Sequence, residues 1–228
     1  MARPPSLDEL FLAHVGPSLA KHLTLLAAVQ GLPCDIDLGR GEARFGGRYT
    51  FAVQLLGTAG GERDTWTWGW SLPEADVPRP LVATALRLRA FGESRRLPLF
   101  TAPRPDLAPW NADQVAILCC GLTGSDGFLA ADTDVLGAAY FLIPDFAGQL
   151  PRRHAAAFLA QTVLPQLLET FEIAGHRQLL RALLVWEGFA IHHEDPRTWQ
   201  ASRPGGSRLT ATFDPQDRLT RFTAHDEV

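Results

Sequence analysis

Three tryptophans at every second position, Trp66, Trp68 and Trp70, constrain the fold of this 228-residue chain more than any other feature. An extended strand points alternate side chains to opposite faces, so a strand from Asp64 to Leu72 would place all three indoles on one face. Each indole can bury roughly 150–250 Å². We interpret the row as a wall of the core, with a hydrophobic ligand pocket or a protein interface as alternatives.

Charge and composition exclude several classes of protein. The net charge is −4, whereas a nucleic-acid-binding surface needs clustered positive charge. No apolar run approaches the roughly 18 residues that would span a bilayer, so we expect neither a nucleic-acid nor a membrane partner. Three cysteines, two of them adjacent (Cys119 and Cys120), do not make a disulfide framework. A cytoplasmic location is therefore expected.

Residue periodicity predicts a helix and then strands in the first half of the chain. The capping-box pattern from Ser6 to Glu9 opens a helix that should end near Gly31, with a kink or break near Pro17. The period then changes to two, which predicts strands at Cys34–Leu38 and at about Arg48–Leu56, before the tryptophan strand. Short connections between successive strands favour an antiparallel meander.

The second half is predicted to add hairpins and helices. A proline-rich crossing at residues 98–109 joins two halves, 1–97 and 110–228, of one domain. Asn111 should cap a short helix, and a hairpin should follow from Gly127 to Pro144. We expect a helical pair around Gly175 and a last hairpin whose turn is Asp214–Asp217. The predicted fold class is α+β, an antiparallel meander sheet packed against helices, with the second hairpin, the helical pair and the C-terminal hairpin in the second half.

The span from Tyr49 to Leu72, with its T-W-T-W-G-W block, resembles an uncharacterised bacterial family, a domain of unknown function. The helix Leu7–Val29 and the stretch Ala116–Ile143 are similar too, so that the resemblance covers about residues 7–143. Many members have Asn shortly after the last tryptophan, where this chain has Ser71, and any role of that Asn does not carry over. The resemblance implies an architecture and no activity.

Two polar groups and the tryptophan row are candidate sites. His192, His193 and Asp195 lie in the string His-His-Glu-Asp, whose imidazoles and carboxylates suit zinc or hydrolytic chemistry. The side chains of neighbouring residues point apart and H-E-x-x-H spacing is absent, so we favour a solvated loop over a metal or catalytic site. Glu187 lies inside an apolar helix near Trp186, which could bury it or leave it in solvent. We group it with Trp66, Trp68 and Trp70 as a candidate ligand contact.

The sequence contains no complete motif for a catalytic nucleophile, a metal site or a phosphate-binding loop. We therefore predict a non-enzymatic intracellular binding or interaction module with no cofactor, although enzymatic activity is left open. Its partner would be a protein or a small molecule, and a homo-oligomer is compatible with the sequence. The first alternative is a small-molecule binding protein or enzyme with an aromatic cleft beside the tryptophan strand. The second is a metal-assisted hydrolase that uses His192–Asp195.

Overall fold

A computed structural model describes residue 3 and residues 5–60, 65–133 and 136–225, apart from the side chain of His193. Helices and antiparallel sheets together make an α+β fold, which confirms the predicted class. The chain divides into two compact units, one formed by Thr24–Leu150 and the other by Pro5–Leu23 and the chain from Pro151 onward. The proline-rich residues 98–109 lie in the first unit. The organisation as one domain in two halves stays a prediction.

Helix α1 (Leu7–Val29) begins where the capping box predicts it. The Ser6 amide donates to Glu9 Oε2 at 2.7 Å, and the Glu9 amide donates to Ser6 Oγ at 3.2 Å. The helix continues through Pro17 without the break that was one of the two predicted outcomes. In the described part of the chain, no helix is long and apolar enough to cross a membrane.

The first unit contains two antiparallel sheets. Strands β1 (Cys34–Asp37), β2 (Glu42–Phe45) and β3 (Tyr49–Ala52) form a meander in sequence order. The second sheet has the order β5-β4-β7-β6, and its strands are β4 (Gln54–Gly60), β5 (Thr65–Trp68), β6 (Gly127–Thr133) and β7 (Gly137–Ile143). The predicted hairpin thus continues the earlier strands through pairing of β4 with β7.

Two details of these strands differ from the sequence prediction. The single strand expected at Arg48–Leu56 is divided at Val53 into β3 and β4, whose partners belong to different sheets. Strand β2 was not predicted, because four residues are too few to show a clear alternation.

The helices of the first unit follow the tryptophan strand. A 3₁₀ turn at Arg79–Val82 leads into α2 (Ala83–Arg95), and α4 (Ala112–Thr123) begins at the capping box of Asn111. The proline-rich crossing predicted at residues 98–109 contains a short helix, α3 (Pro98–Thr101), with Pro98 in its first turn. Proline fits there because its fixed φ is helical and its missing N–H is not needed.

The second unit is built from helices followed by a four-stranded sheet. A helical stretch comprises α5 (Ala156–Phe158), a π-helical turn at Leu159–Val163 and α6 (Leu164–Thr170), and α7 (His176–Trp186) follows. The sheet has the antiparallel order β11-β10-β9-β8 and contains β8 (Ala190–Glu194), β9 (Thr198–Ser202), β10 (Arg208–Phe213) and β11 (Leu219–His225). The predicted C-terminal hairpin is β10–β11. Strands β8 and β9 were not predicted.

Candidate functional site

Trp66 and Trp68 lie in the interior of the first unit, with 1% and 0% of their surfaces exposed. Their ring centroids are 5.5 Å apart, and the ring of Trp66 also lies 5.4 Å from that of Tyr140. Trp68 Nε1 donates to the carbonyl oxygen of Leu99 at 2.8 Å. Both indoles pack against apolar neighbours.

Trp70 leaves the row because the strand ends at Trp68 and the chain turns into a 3₁₀ segment, Gly69–Ser71. The prediction of one continuous strand was therefore wrong at this point. Trp70 is half-buried, and the guanidinium of Arg89 lies 4.6 Å above its ring. It borders a cavity of about 190 Å³, which is smaller than the roughly 300–1,000 Å³ typical of small-molecule sites.

The described side chains of His192, Glu194 and Asp195 each have a different partner. His192 Nε2 lies 2.6 Å from Ser202 Oγ, and Glu194 pairs with Arg181. Asp195 Oδ1 accepts the amides of Arg197 and Thr198, both at 2.7 Å. No three His, Cys, Asp or Glu side chains in the described part of the chain are placed to hold a metal ion. The side chain of His193 lies outside that part.

A second cavity, of about 560 Å³, borders β1 and β6, the edge strands of the two sheets of the first unit. Its lining includes Cys34, Asp35 and Asp132. Burial, and next the charge of Asp35, raises the pKa of the Cys34 thiol. A thiolate would be disfavoured there, so this cavity is a poor nucleophilic site.

Glu187, predicted as a ligand contact, is the fully buried centre of a polar network in the second unit. It caps the C-terminus of α7, where its amide donates to the carbonyl oxygen of Leu183 at 2.9 Å. Its Oε1 lies 2.7 Å from His154 Nδ1, and its Oε2 accepts the backbone amide of His154 at 2.9 Å. Arg203 Nη1 lies 3.8 Å from Oε2 and donates to the Glu187 carbonyl oxygen at 3.4 Å. Fixed donors thus surround a buried carboxylate.

The imidazole of His154 is held by aromatic rings as well as by Glu187. Its side chain is 4% exposed. The ring centroid lies 5.2 Å from that of Phe158 and 6.3 Å from that of Trp186, and the planes of His154 and Trp186 are 27° apart. Lys21 Nζ lies 5.4 Å from the ring centroid of Trp186. His154 was not predicted as a site residue, because it lies 33 residues from Glu187 and no local motif joins them.

This network lies beside a cavity of about 580 Å³, which we call the Glu187 cleft. Its volume is within the range of small-molecule sites. Gly205 and Gly206, in the connection between β9 and β10, have φ of +95° and +86°. Among its lining residues are Arg153, His154, Glu187, Arg203, Gly205 and Ser207.

The contacts already made by the lining residues decide whether this cleft suits binding or catalysis. Both carboxylate oxygens of Glu187 already accept hydrogen bonds or contact a cation, so they are poorly placed to take a proton from a substrate. Arg153 and Arg203 place guanidinium N–H donors in the lining of the cleft. The arrangement therefore favours recognition of a polar molecule over proton transfer by Glu187.

The match to a family model covers residues 8–146, more than half of the chain. The chain belongs to a family of unknown function, DUF6882. This confirms the uncharacterised family that the T-W-T-W-G-W segment led us to expect. No curated protein and no solved structure matches the chain. Glu187, His154 and Arg203 lie beyond the residues that match the family model.

Proposed function

We propose that this member of the DUF6882 family is a non-enzymatic binding module that holds a small polar molecule in the Glu187 cleft. The observation that carries the proposal is the buried Glu187 carboxylate, which is fixed by His154 and Arg203 beside a cavity of about 580 Å³. Small-molecule sites combine a concave space with a few oriented polar groups. The cleft provides both.

The burial of the network supports a fixed binding surface. A buried charge is tolerated only when it is paired and hydrogen-bonded, and Glu187 has three such contacts at its two carboxylate oxygens. Once these contacts hold the side chains, a ligand need not organise them on binding. Such preorganisation raises affinity because less conformational freedom is lost.

A second candidate function is hydrolysis, and one observation favours it. A histidine oriented by a buried carboxylate supplies two of the three members of a hydrolytic triad, and the hydroxyl-bearing Ser207 lines the same cleft. The near-complete burial of the His154 side chain argues for a structural role of this pair. Activity lost on Ser207→Ala would distinguish the two candidates.

A cytoplasmic location in a bacterium also belongs to the proposal. It is supported by the odd number of cysteines and by the resemblance described above. A homo-oligomer is compatible with it.

The test is a binding screen by ligand-observed NMR and calorimetry with the full chain. The probes are small anionic, neutral and cationic polar molecules, together with simple esters as substrates. We expect one class to bind, to lose affinity in Arg203→Met and to retain it in Arg218→Met. Arg218 is a matched control, since it pairs with Asp214 near the C-terminal hairpin turn and does not line the cleft.

Three results would contradict the proposal. Absence of binding in every class would refute a binding module of this kind. Equal affinity in Arg203→Met and the native protein would place the ligand elsewhere. Ester turnover that Ser207→Ala abolishes would show an enzyme.

A further inference from the structure

The geometry points to a ligand with an oxyanion, a carboxylate or phosphate group, that binds between Arg153 and Arg203 in the Glu187 cleft. This inference rests on the proposed function and names the chemistry of the molecule bound there.

The charges that line the cleft favour an anion. Glu187 carries the one carboxylate among the described lining residues, and Arg153 and Arg203 carry two positive charges. Arg203 lies against Glu187 and offsets its charge. The charge of Arg153 is then left without an acidic counterpart in the lining, and a cationic ligand would meet repulsion there.

Arg203 is held in place but retains donors. Its guanidinium lies 4.7 Å from the ring centroid of Phe189, and both its contacts with Glu187 run through Nη1. A guanidinium has five N–H donors in a planar fork. The donors of Nε and Nη2 make no hydrogen bond within the described part of the chain. Such a fork matches the two oxygens of a carboxylate or phosphate.

The guanidinium of Arg153 lies close to the glycine that follows Glu187. Gly188 follows Glu187 with φ of +82°, and a Cβ at this position would overlap Nη1 of Arg153. Glycine suits the left-handed backbone at this position, and its missing Cβ leaves room for the close approach of the guanidinium. The Arg153 guanidinium therefore lies beside the backbone that follows Glu187.

The connection between β9 and β10 forms an open part of the cleft wall. A Cβ on Gly205 would meet no atom within 4 Å, so this part of the wall faces free space. Ser207, which is 7% exposed, lines the cleft two residues later. The lining of the cleft thus offers a ligand two guanidinium groups and a hydroxyl group.

The experiment is calorimetric titration of the full chain with matched probes. Inorganic phosphate and succinate are the oxyanion arms, which separate phosphate from carboxylate recognition. 1,4-Butanediol and 1,4-diaminobutane have carbon chains as long as that of succinate and test neutral and cationic binding. We expect phosphate or succinate to bind, with an affinity that falls as NaCl is raised.

Variants test whether the arginines provide the site. Arg153→Gln should weaken oxyanion binding by about 10- to 100-fold, the usual effect of losing a hydrogen bond to a charged group. Arg153→Lys should recover part of that loss because it keeps the charge. Arg152→Gln is the matched control, since Arg152 is the adjacent exposed arginine and does not line the cleft. Circular dichroism and the Tm of each variant check that it folds.

Different outcomes of the titrations would contradict the oxyanion assignment and the proposed binding function. If butanediol or diaminobutane binds and neither anion does, the oxyanion assignment is overturned and a binding module still stands. If phosphate or succinate binds equally well to Arg153→Gln and to the native protein, the assignment to this cleft is overturned. If no probe binds, both proposals fail.

Discussion

At the scale of single residues, Trp66 and Trp68 look equivalent in the sequence but differ in one hydrogen bond. Trp68 Nε1 donates to Leu99, whereas Trp66 Nε1 is buried without an acceptor among the described residues. Removal of a donor that leaves a buried carbonyl unpaired costs about 1–3 kcal/mol beyond the lost apolar area. The row therefore contains one tryptophan fixed by packing alone and one fixed by packing and a hydrogen bond.

We expect Trp68→Phe to lower the free energy of unfolding more than Trp66→Phe, by about 1–3 kcal/mol. Both changes remove the same atoms from fully buried sites, so each serves as the control for the other. Urea unfolding followed by circular dichroism measures the difference. Equal losses would show that the hydrogen bond to Leu99 contributes nothing net.

At the scale of elements, the start of α4 depends on a reciprocal pair. The Gln114 amide donates to Asn111 Oδ1, and the Asn111 amide donates to Gln114 Oε1, both at 2.9 Å. Asn111→Ala should lower the free energy of unfolding by about 1 kcal/mol, because a cap donor loses its acceptor. Asn111→Gly should cost only a few tenths of a kcal/mol. Chemical unfolding of both variants checks this, and an equal loss in the two would refute a capping role.

Elements that carry local signals could be predicted from the sequence. Strand β7 is a continuously apolar run, and β10 has alternating residues before a recognisable turn. The capping residues Ser6 and Asn111 mark the starts of their helices. Strand β8 was missed because the polar residues His192–Glu194 were interpreted as a loop. A strand with one wet face can carry such residues.

The features that could not be predicted depend on contacts between residues that are distant in sequence. Trp70 leaves the row where Gly69 approaches the carbonyl oxygens of Leu55 and Leu56 so closely that a Cβ would lie 3.1 and 3.2 Å from them. Glu187 was a predicted contact, yet its partner His154 is 33 residues away. A single sequence records neither distance. The candidate site was therefore only partly predictable.

At the scale of the whole molecule, the titration of His14 links stability to pH. His14 is half-buried in the N-terminal part of α1. Burial, and next the positive charge of Lys21, lowers its pKa below the ordinary value of about 6.5. The folded chain therefore binds this proton less readily than the unfolded chain does.

The direction in which pH changes the stability of the fold follows from the linkage between protonation and folding. Between the two pKa values the unfolded chain binds more protons, so stability rises with pH in that interval. The contribution of neutral His14 is present above about pH 6.5 and is lost as pH falls toward its lower pKa in the folded chain. We expect His14→Gln to reduce the fall in the free energy of unfolding between pH 7.5 and 5.5, because glutamine does not titrate. Urea unfolding at the two pH values measures the slope, and NMR titration of the His14 ring gives its pKa directly. An unchanged slope, or a ring pKa at or above the ordinary value, would contradict the link, because only a histidine that resists protonation in the fold makes acid destabilising.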